Sequence, residues 1–378
     1  MDDALTESKQ RFAQELVSSR KGDIEPLLAD QWVMISLLQK SIRRGEVETA
    51  QRAASTLFAQ KGYAIWRRFI VIAYEDVGAA SPDAVAMTVA ASTDASWRNK
   101  NGGAPHIAVQ LARVLAEAPK SRSAEHLITS AQHHPSLAKV RMLRSAGSIA
   151  DHLDAMLDEN VPLIERAIAV WCASAIGWCG EKRAKGALPA LLETFRSLGA
   201  PDELVTATGI AAQKTREPIT LMVPLVWLAA NCGSQNTVTK SEIPATKFVD
   251  GVPMYALDKH TRLGREAIRR FASENEEVRG TLARYVQAAR RNDAAYMAAF
   301  YADAAPLATK LAWTGADDLE AFGTETDLLL SDVPPEGFAP LLAALRNNLR
   351  HLNEVRARVF AQQRSAAAGL PRSILAAG

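Results

Sequence analysis

The side chains that most invite a chemical reading cluster around residues 255–271. The segment YALDKHTRLGREAIRRF places Tyr255, Asp258, His260 and Thr261 next to a run of arginines. On a helix, Leu263, Ala267 and Phe271 share one side. Arg262, Arg265 and Arg269 then form a stripe on the other at i, i+3 and i+7. Such a stripe can track phosphates, each contact adding a salt-dependent increment to affinity. Residues 257–291 hold nine Lys or Arg against five acids. Glu266, however, stands four residues from both Arg262 and Arg270, a spacing that suits local ion pairs. Two readings of the stripe stand side by side: a self-neutralised solvated face, or a polyanion-binding face. In a third, Tyr255, Asp258 and His260 line a small enzymatic site beside a loop.

Other constellations read as structure. Trp171-Cys172 and Trp178-Cys179 repeat at a spacing of seven. On a helix that puts the two cysteines about 10 Å apart along the axis, too far for a disulfide. Both pairs are expected in the core. Asp151, Asp154 and Asp158 share a helical face with His152 adjacent. Cation cages also draw ligands from loops, so a solvated face is expected. His133 and His134 are adjacent and point apart on a helix. No HExxH, CxxC, GxSxG or GxGxxG occurs in a credible context, and no nucleophile, base and orienter assemble from sequence. No catalytic residue, metal or cofactor is therefore expected.

The elements that carry these residues read as helices. Ala, Leu, Arg and Glu abound, and alternating β-branched runs are scarce. The clearest helix covers roughly 62–78. Its residues Trp66, Phe69, Ile70, Ala73, Tyr74 and Val77 form one continuous apolar face, with Gly78 as C-cap. Ser81-Pro82-Asp83 is an N-cap, a proline at the first helical position and an acid in the first turn. Pro201-Asp202-Glu203 opens another helix in the same way. An earlier helix carries Ile35, Leu38 and Ile42 with Lys40, Arg43 and Arg44 beside them, and stops near Gly45.

Glu75 and Asp76 occupy a last helical turn, where the macrodipole disfavours anions by about 0.3–1 kcal/mol. They call for a cation, and Arg43 or Arg44 is the expected partner in a structural salt bridge. Ala118-Pro119-Lys120-Ser121 puts a lysine and a hydroxyl at a helix start, which suits either capping or anion binding.

Asn99–Gly103 reads as a loop, and 231–256, opening with NCGSQNTVT, as a long connection. Residues 317–336 hold seven acids and no Lys or Arg, whereas 341–378 hold six arginines and one acid. These blocks either pair with each other, within or between subunits, or form two solvated faces. The linear division expected is 1–135, 136–230, the linker 231–256, and 257–378.

Composition bounds the class. The chain has 378 residues, 48% of them hydrophobic, enough for a sizeable core. A net charge of +2 excludes a strongly basic coat, so any polyanion site must be a local patch. Three cysteines exclude a disulfide framework and a four-cysteine zinc site, and suit a reducing compartment. The acidic start lacks the basic and apolar run of a signal peptide. No stretch of about 18 uncharged apolar residues is present to span a membrane. A cytoplasmic protein is expected.

Residues 34–92, with Lys40-Ser41-Ile42-Arg43, Arg67-Arg68, Glu75-Asp76-Val77-Gly78 and Pro82-Asp83-Ala84 in order, carry a family likeness. Ala118-Pro119-Lys120-Ser121 extends it. This stretch resembles the C-terminal, clamp-loader-like helical region of the replication-associated recombination protein A (MgsA) family of AAA+ ATPases. It departs from the family at Gln39, where a histidine is usual. The family's ATPase module carries GxxxxGK[ST], and no Gly-Lys-Ser or Gly-Lys-Thr occurs in this sequence. The matching helix begins near residue 30, too early to leave room for that module before it.

The resemblance implies an all-α fold: a clamp-loader-collar-like bundle extended by further helices. It also implies subunit assembly and action at stalled or gapped replication DNA. The expectation is a non-catalytic, oligomerising accessory protein of replication, recombination or repair. Its partners would be DNA, further copies of itself and a separate replication or repair protein. Arg43, Arg44, Arg67, Arg68, Lys120, Arg262, Arg265 and Arg269 would offer phosphate contacts. The alternatives are a protein-interaction scaffold with no nucleic-acid role and the enzyme sited near Tyr255, Asp258 and His260.

Overall fold

A computed structural model describes residues 5–17, 24–177, 186–231 and 236–368, with side chains as far as 364. The described chain is helical nearly throughout, as expected, with short strand pairs as the exception. It forms two compact units, each drawn from separate stretches of sequence. The division follows contacts rather than the linear order of segments.

The first unit comprises Met1–Ile24, Ser41–Ser241 and Leu307–Thr326. In it, Val47–Lys61 packs along Ala104–Glu117. Both helices bury alanines, including Ala50, Ala53 and Ala54 on one and Ala108 and Ala112 on the other. Ser81 caps Pro82–Thr93 by accepting from the Ala84 N–H.

The apolar face expected over 62–78 is buried at every position. It is not one α-helix, however. A 3-10 turn Gly62–Ala64 leads into Ile65–Ile72, which widens into a π turn, Ala73–Val77. The wider turn brings Tyr74, Asp76 and Val77 inward together, which the α period does not do.

Part of the expected 231–256 connection is sheet. Thr237–Lys240 pairs antiparallel with Thr309–Ala312, Thr237 opposite Ala312. Lys120 joins this ribbon from the far side: its N–H donates to the Thr309 carbonyl at 3.0 Å, and its carbonyl accepts from the Leu311 N–H at 2.9 Å.

The second unit comprises Glu25–Lys40, Glu242–Pro306 and Asp327–Gly378. A tight hairpin pairs Phe248–Val249 with Val252–Pro253. Asp250 and Gly251 both have positive φ, 50° and 77°, as a two-residue hairpin turn of this hand requires. The helix Arg262–Glu274 packs along Leu349–Ala368. Tyr255, Leu257, Phe271, Val278, Leu345 and Leu352 are buried in this unit. A second π turn, Phe300–Ala304, ends the helix Arg291–Ala299.

The acidic and basic blocks do not pair with each other among the described residues. Asp317 and Glu320 bind Lys310, and Asp332 binds Arg290. Arg356 binds Asp303, Arg358 binds Glu274 and Arg364 binds Asp250. Sequence proximity of opposite charge did not decide the pairing; the tertiary fold supplied nearer partners.

Trp171 and Cys172 are buried, as expected; Trp178 and Cys179 lie outside the described residues. Asp151 closes a capping box with Ser148, and Asp154 and Asp158 are exposed. His133 is exposed and His134 buried. Among the described residues no single helix is long and apolar enough to cross a membrane.

Candidate functional site

Two places concentrate charge: a buried cluster in the first unit and an open face in the second. The buried cluster centres on Asp76, which is fully enclosed. Arg43 donates from Nε to Asp76 Oδ1 at 2.5 Å and from its terminal nitrogen to Glu75 Oε1 at 2.7 Å. Arg122 adds a second cation, 3.6 Å from Asp76 and 3.9 Å from Glu75. Burial pushes the Asp76 carboxyl up, and the Arg43 guanidinium opposes that rise. The Asp76 carbonyl accepts from the Ser121 N–H at 3.0 Å. Gly78, with φ of 51°, lies so close that a Cβ there would stand 2.9 Å from the Ser121 carbonyl oxygen. The two sequence pieces Glu75–Gly78 and Lys120–Ser121 are thus one structural latch.

Lys120 serves the same latch. Its Nζ donates to the carbonyls of Ala116 and Ala118, at and just beyond the end of Ala104–Glu117. A cation suits that negative helix end. The lysine therefore closes the preceding helix instead of opening an anion site on the next. Burial lowers its ammonium to about 8, against the pull of Asp76.

These positions correct the expected phosphate contacts. Arg43, Arg44 and Lys120 are buried, at 2%, 7% and 0% exposure, and cannot meet a polyanion from solvent. Arg44 pairs with Glu46 at 2.8 Å. Arg67 is exposed but is held by Glu217 and by the Thr215 carbonyl at the end of Asp202–Thr215. Arg68 is half-buried.

The helix Arg262–Glu274 keeps its expected stripe. Arg262, Arg265 and Arg269 are exposed while Leu263, Ala267 and Phe271 are buried. Thr261 caps it by accepting from the Gly264 N–H at 2.9 Å. A Cβ on Gly264 would stand 2.0 Å from the Asp258 carbonyl oxygen, so this turn admits glycine alone. Glu266 pairs with Arg269 at 2.8 Å and Arg270 at 2.5 Å. It leaves Arg262 without an acidic partner among the described residues.

Along one flank of this helix runs a groove of about 660 Å³ lined by Trp32, His260, Arg262, Arg265, Arg270 and Tyr296, with Glu266 its one acid. Beside the C-terminal half of the same helix lies a depression of about 320 Å³ whose charged lining is Arg269, Arg279 and Arg291, with no acid.

Asp258 does not open onto the groove as an enzymatic base would. It is buried, and its carboxylate meets the Lys40 ammonium at 2.6 Å. Lys40 also donates to Ser36 Oγ, which donates in turn to the Ala256 carbonyl. Burial opposes ionisation of Asp258, but Lys40 outweighs it and holds the carboxyl below its ordinary range. Tyr255 is buried as well. Of the three residues expected to line an enzymatic site, only His260 reaches the groove. No group of three metal-ligating side chains is present among the described residues.

Residues 58–144 match the family model of the MgsA AAA+ ATPase C-terminal domain. The MgsA-like segment contains Glu75–Gly78 and Lys120–Arg122, the core of the buried latch. It excludes Arg43 and the whole arginine face of the second unit. No curated protein and no solved structure matches the chain. The MgsA resemblance, read from sequence, is therefore supported for a stretch within the first unit.

Sequence reasoning missed Trp32, Tyr296, Arg279 and Arg291. Trp32 carried one signal: it follows Asp30, whose carboxylate accepts from the Trp32 and Val33 N–H groups at 2.8 and 3.1 Å. That turn starts the helix with the indole outside, 59% exposed. The others come from separate elements, and only the tertiary fold brings them to one helix.

Proposed function

We propose that this chain is a non-catalytic, oligomerising accessory protein of DNA replication, recombination or repair, working in the cytoplasm. Its polyanion contact is the arginine face built on Arg262–Glu274. The observation that carries the reading is the MgsA-like segment at 58–144, a likeness to replication-associated ATPases. The uncompensated arginines of the second unit supply the chemistry such a role needs. The sequence contains no GxxxxGK[ST], which is why the role is read as accessory. Buried Arg43, Arg44 and Lys120 act in the fold; Arg262, Arg265 and Arg269 meet phosphate, with Arg67 and Arg68 as lesser contributors.

The test is binding to gapped and forked DNA at about 50 mM and about 200 mM salt, with the mass of the particle measured in both conditions. Affinity should fall steeply between the two salts as counterion release predicts. Absent or salt-insensitive binding would favour a protein-interaction scaffold. A monomeric mass with and without DNA would remove the oligomer from the proposal.

A further inference from the structure

We propose that the groove beside Arg262–Glu274 binds single-stranded DNA, stacking bases on Trp32 and Tyr296 while arginines along the helix hold the phosphates. The inference rests on the DNA-binding reading above and narrows it.

Three observations carry it. The first is Trp32. An indole is a large apolar surface that folding normally covers, yet this one is 59% exposed and forms a wall of the groove. Tyr296 and His260 give the same groove two more rings. The second is charge. The groove presents Arg262, Arg265 and Arg270 against a single acid, and that acid is engaged by Arg269 and Arg270. The third is a second basic hollow at the C-terminal half of the helix. Arg269, Arg279 and Arg291 line a depression with no acid. Arg291 is fixed by the Val286 carbonyl. Arg279, like Arg262, has no acidic partner among the described residues. From Arg265 to Arg269 the helix rises about 6 Å, so one strand running along it meets both lined hollows.

Together these favour an unpaired strand over a duplex. A duplex offers its phosphates to a protein surface but keeps base faces stacked inside. An unpaired strand offers phosphates and free base faces, and aromatic platforms beside a basic groove are how proteins hold such strands without reading sequence. An acidic peptide would satisfy the arginines and leave the rings unused.

The experiment compares a dT oligomer, a duplex of equal length and poly-glutamate on the full chain. Trp32→Ala, Trp32→Phe and Arg279→Glu are the variants. Trp32 is exposed, so its replacement removes little core contact, and circular dichroism checks that the fold is kept. The dT oligomer should bind at least about tenfold tighter than the duplex. Trp32→Ala should weaken dT binding by about 5- to 100-fold and leave poly-glutamate unchanged, and Trp32→Phe should restore much of the loss. Arg279→Glu should weaken all three polymers. Equal affinity for strand and duplex, unchanged dT binding by folded Trp32→Ala, or poly-glutamate binding as tight as dT would each overturn the stacking site while leaving an anion-binding face. Failure of every polymer to bind at low salt would overturn both this inference and the DNA reading beneath it.

Discussion

Arg43 Nε lies 2.5 Å from Asp76 Oδ1, with both side chains buried in the first unit. The acid sits on a π turn with sequence AYEDV. The second unit repeats the device: FYADA forms a π turn, and its buried Asp303 pairs with the buried Arg356. In each, tyrosine takes the second position and aspartate the fourth. Each unit thus fastens a widened helical turn to an arginine on another helix. Taking ions out of water costs several kcal/mol apiece, so such pairs hold one specific arrangement more than they add net stability.

Breaking one half of such a buried pair strands a charge, whereas replacing both halves does not. Arg43→Met removes the nearest cation from the buried Asp76, with Arg122 standing farther off at 3.6 Å. Stability should drop by about 3–5 kcal/mol, measured by chemical denaturation. The double variant Arg43→Met with Asp76→Leu should recover much of the loss, because both charges are then gone. Equal losses in the single and double variants would show that the pair has no such role.

Lys120 sets a pH dependence with a definite sign. Burial lowers its folded value from 10.5 to about 8. Between those values the unfolded chain holds a proton that the folded chain has released, so this group makes stability rise with pH from about 8 towards 10.5. Tyr74 acts oppositely near pH 10: burial raises its phenol, so the unfolded chain ionises first. Comparison of wild type with Lys120→Met between pH 8 and 10 isolates the lysine. The wild-type rise, up to about 3 kcal/mol over the whole window, should be missing from the variant.

Glu266 restrains the arginine face. Glu266→Gln frees Arg269 and Arg270 from their ion pairs while the helix stays intact, and exposed pairs contribute about 0–1 kcal/mol. Polyanion binding should tighten, and the slope of log affinity against log salt should steepen by about one to two. A salt titration of wild type and variant measures both.

Gly264 and Gly323 are required by close approach. Gly323→Ala drives a Cβ to 2.3 Å from the His126 ring within the first unit and should cost about 1–3 kcal/mol. Gly264→Ala meets backbone, which yields less, and should cost more and weaken DNA binding by displacing the start of Arg262–Glu274. Thermal unfolding and the binding assay report the two effects.

Apolar spacing made the buried face over 62–78 legible, though not its 3-10 and π turns, and the cap at Ser81-Pro82-Asp83 made the next helix start legible. The Asp76 partner was legible because an anion at a helix end needs a cation, although Arg43 and Arg44 could not be told apart. The arginine stripe was legible from its period. Lys120 was misread because its position suggested the start of one helix while its flexible stem turns back to the end of another. The strand Thr237–Lys240 was hidden because its ladder partner lies some seventy residues away, at Thr309–Ala312.

By itself the sequence determined what short-range physics controls: helix content, caps, apolar faces, the exposed stripe Arg262, Arg265 and Arg269, and the likeness carried by a run of local motifs. Only the tertiary structure decided which cations are enclosed and which face water, since burial depends on what packs over a side chain from elsewhere in the chain. It also decided that Trp32, Tyr296, Arg279 and Arg291 gather around one helix. Residues on separate elements share no period, and only the packing of those elements makes them neighbours.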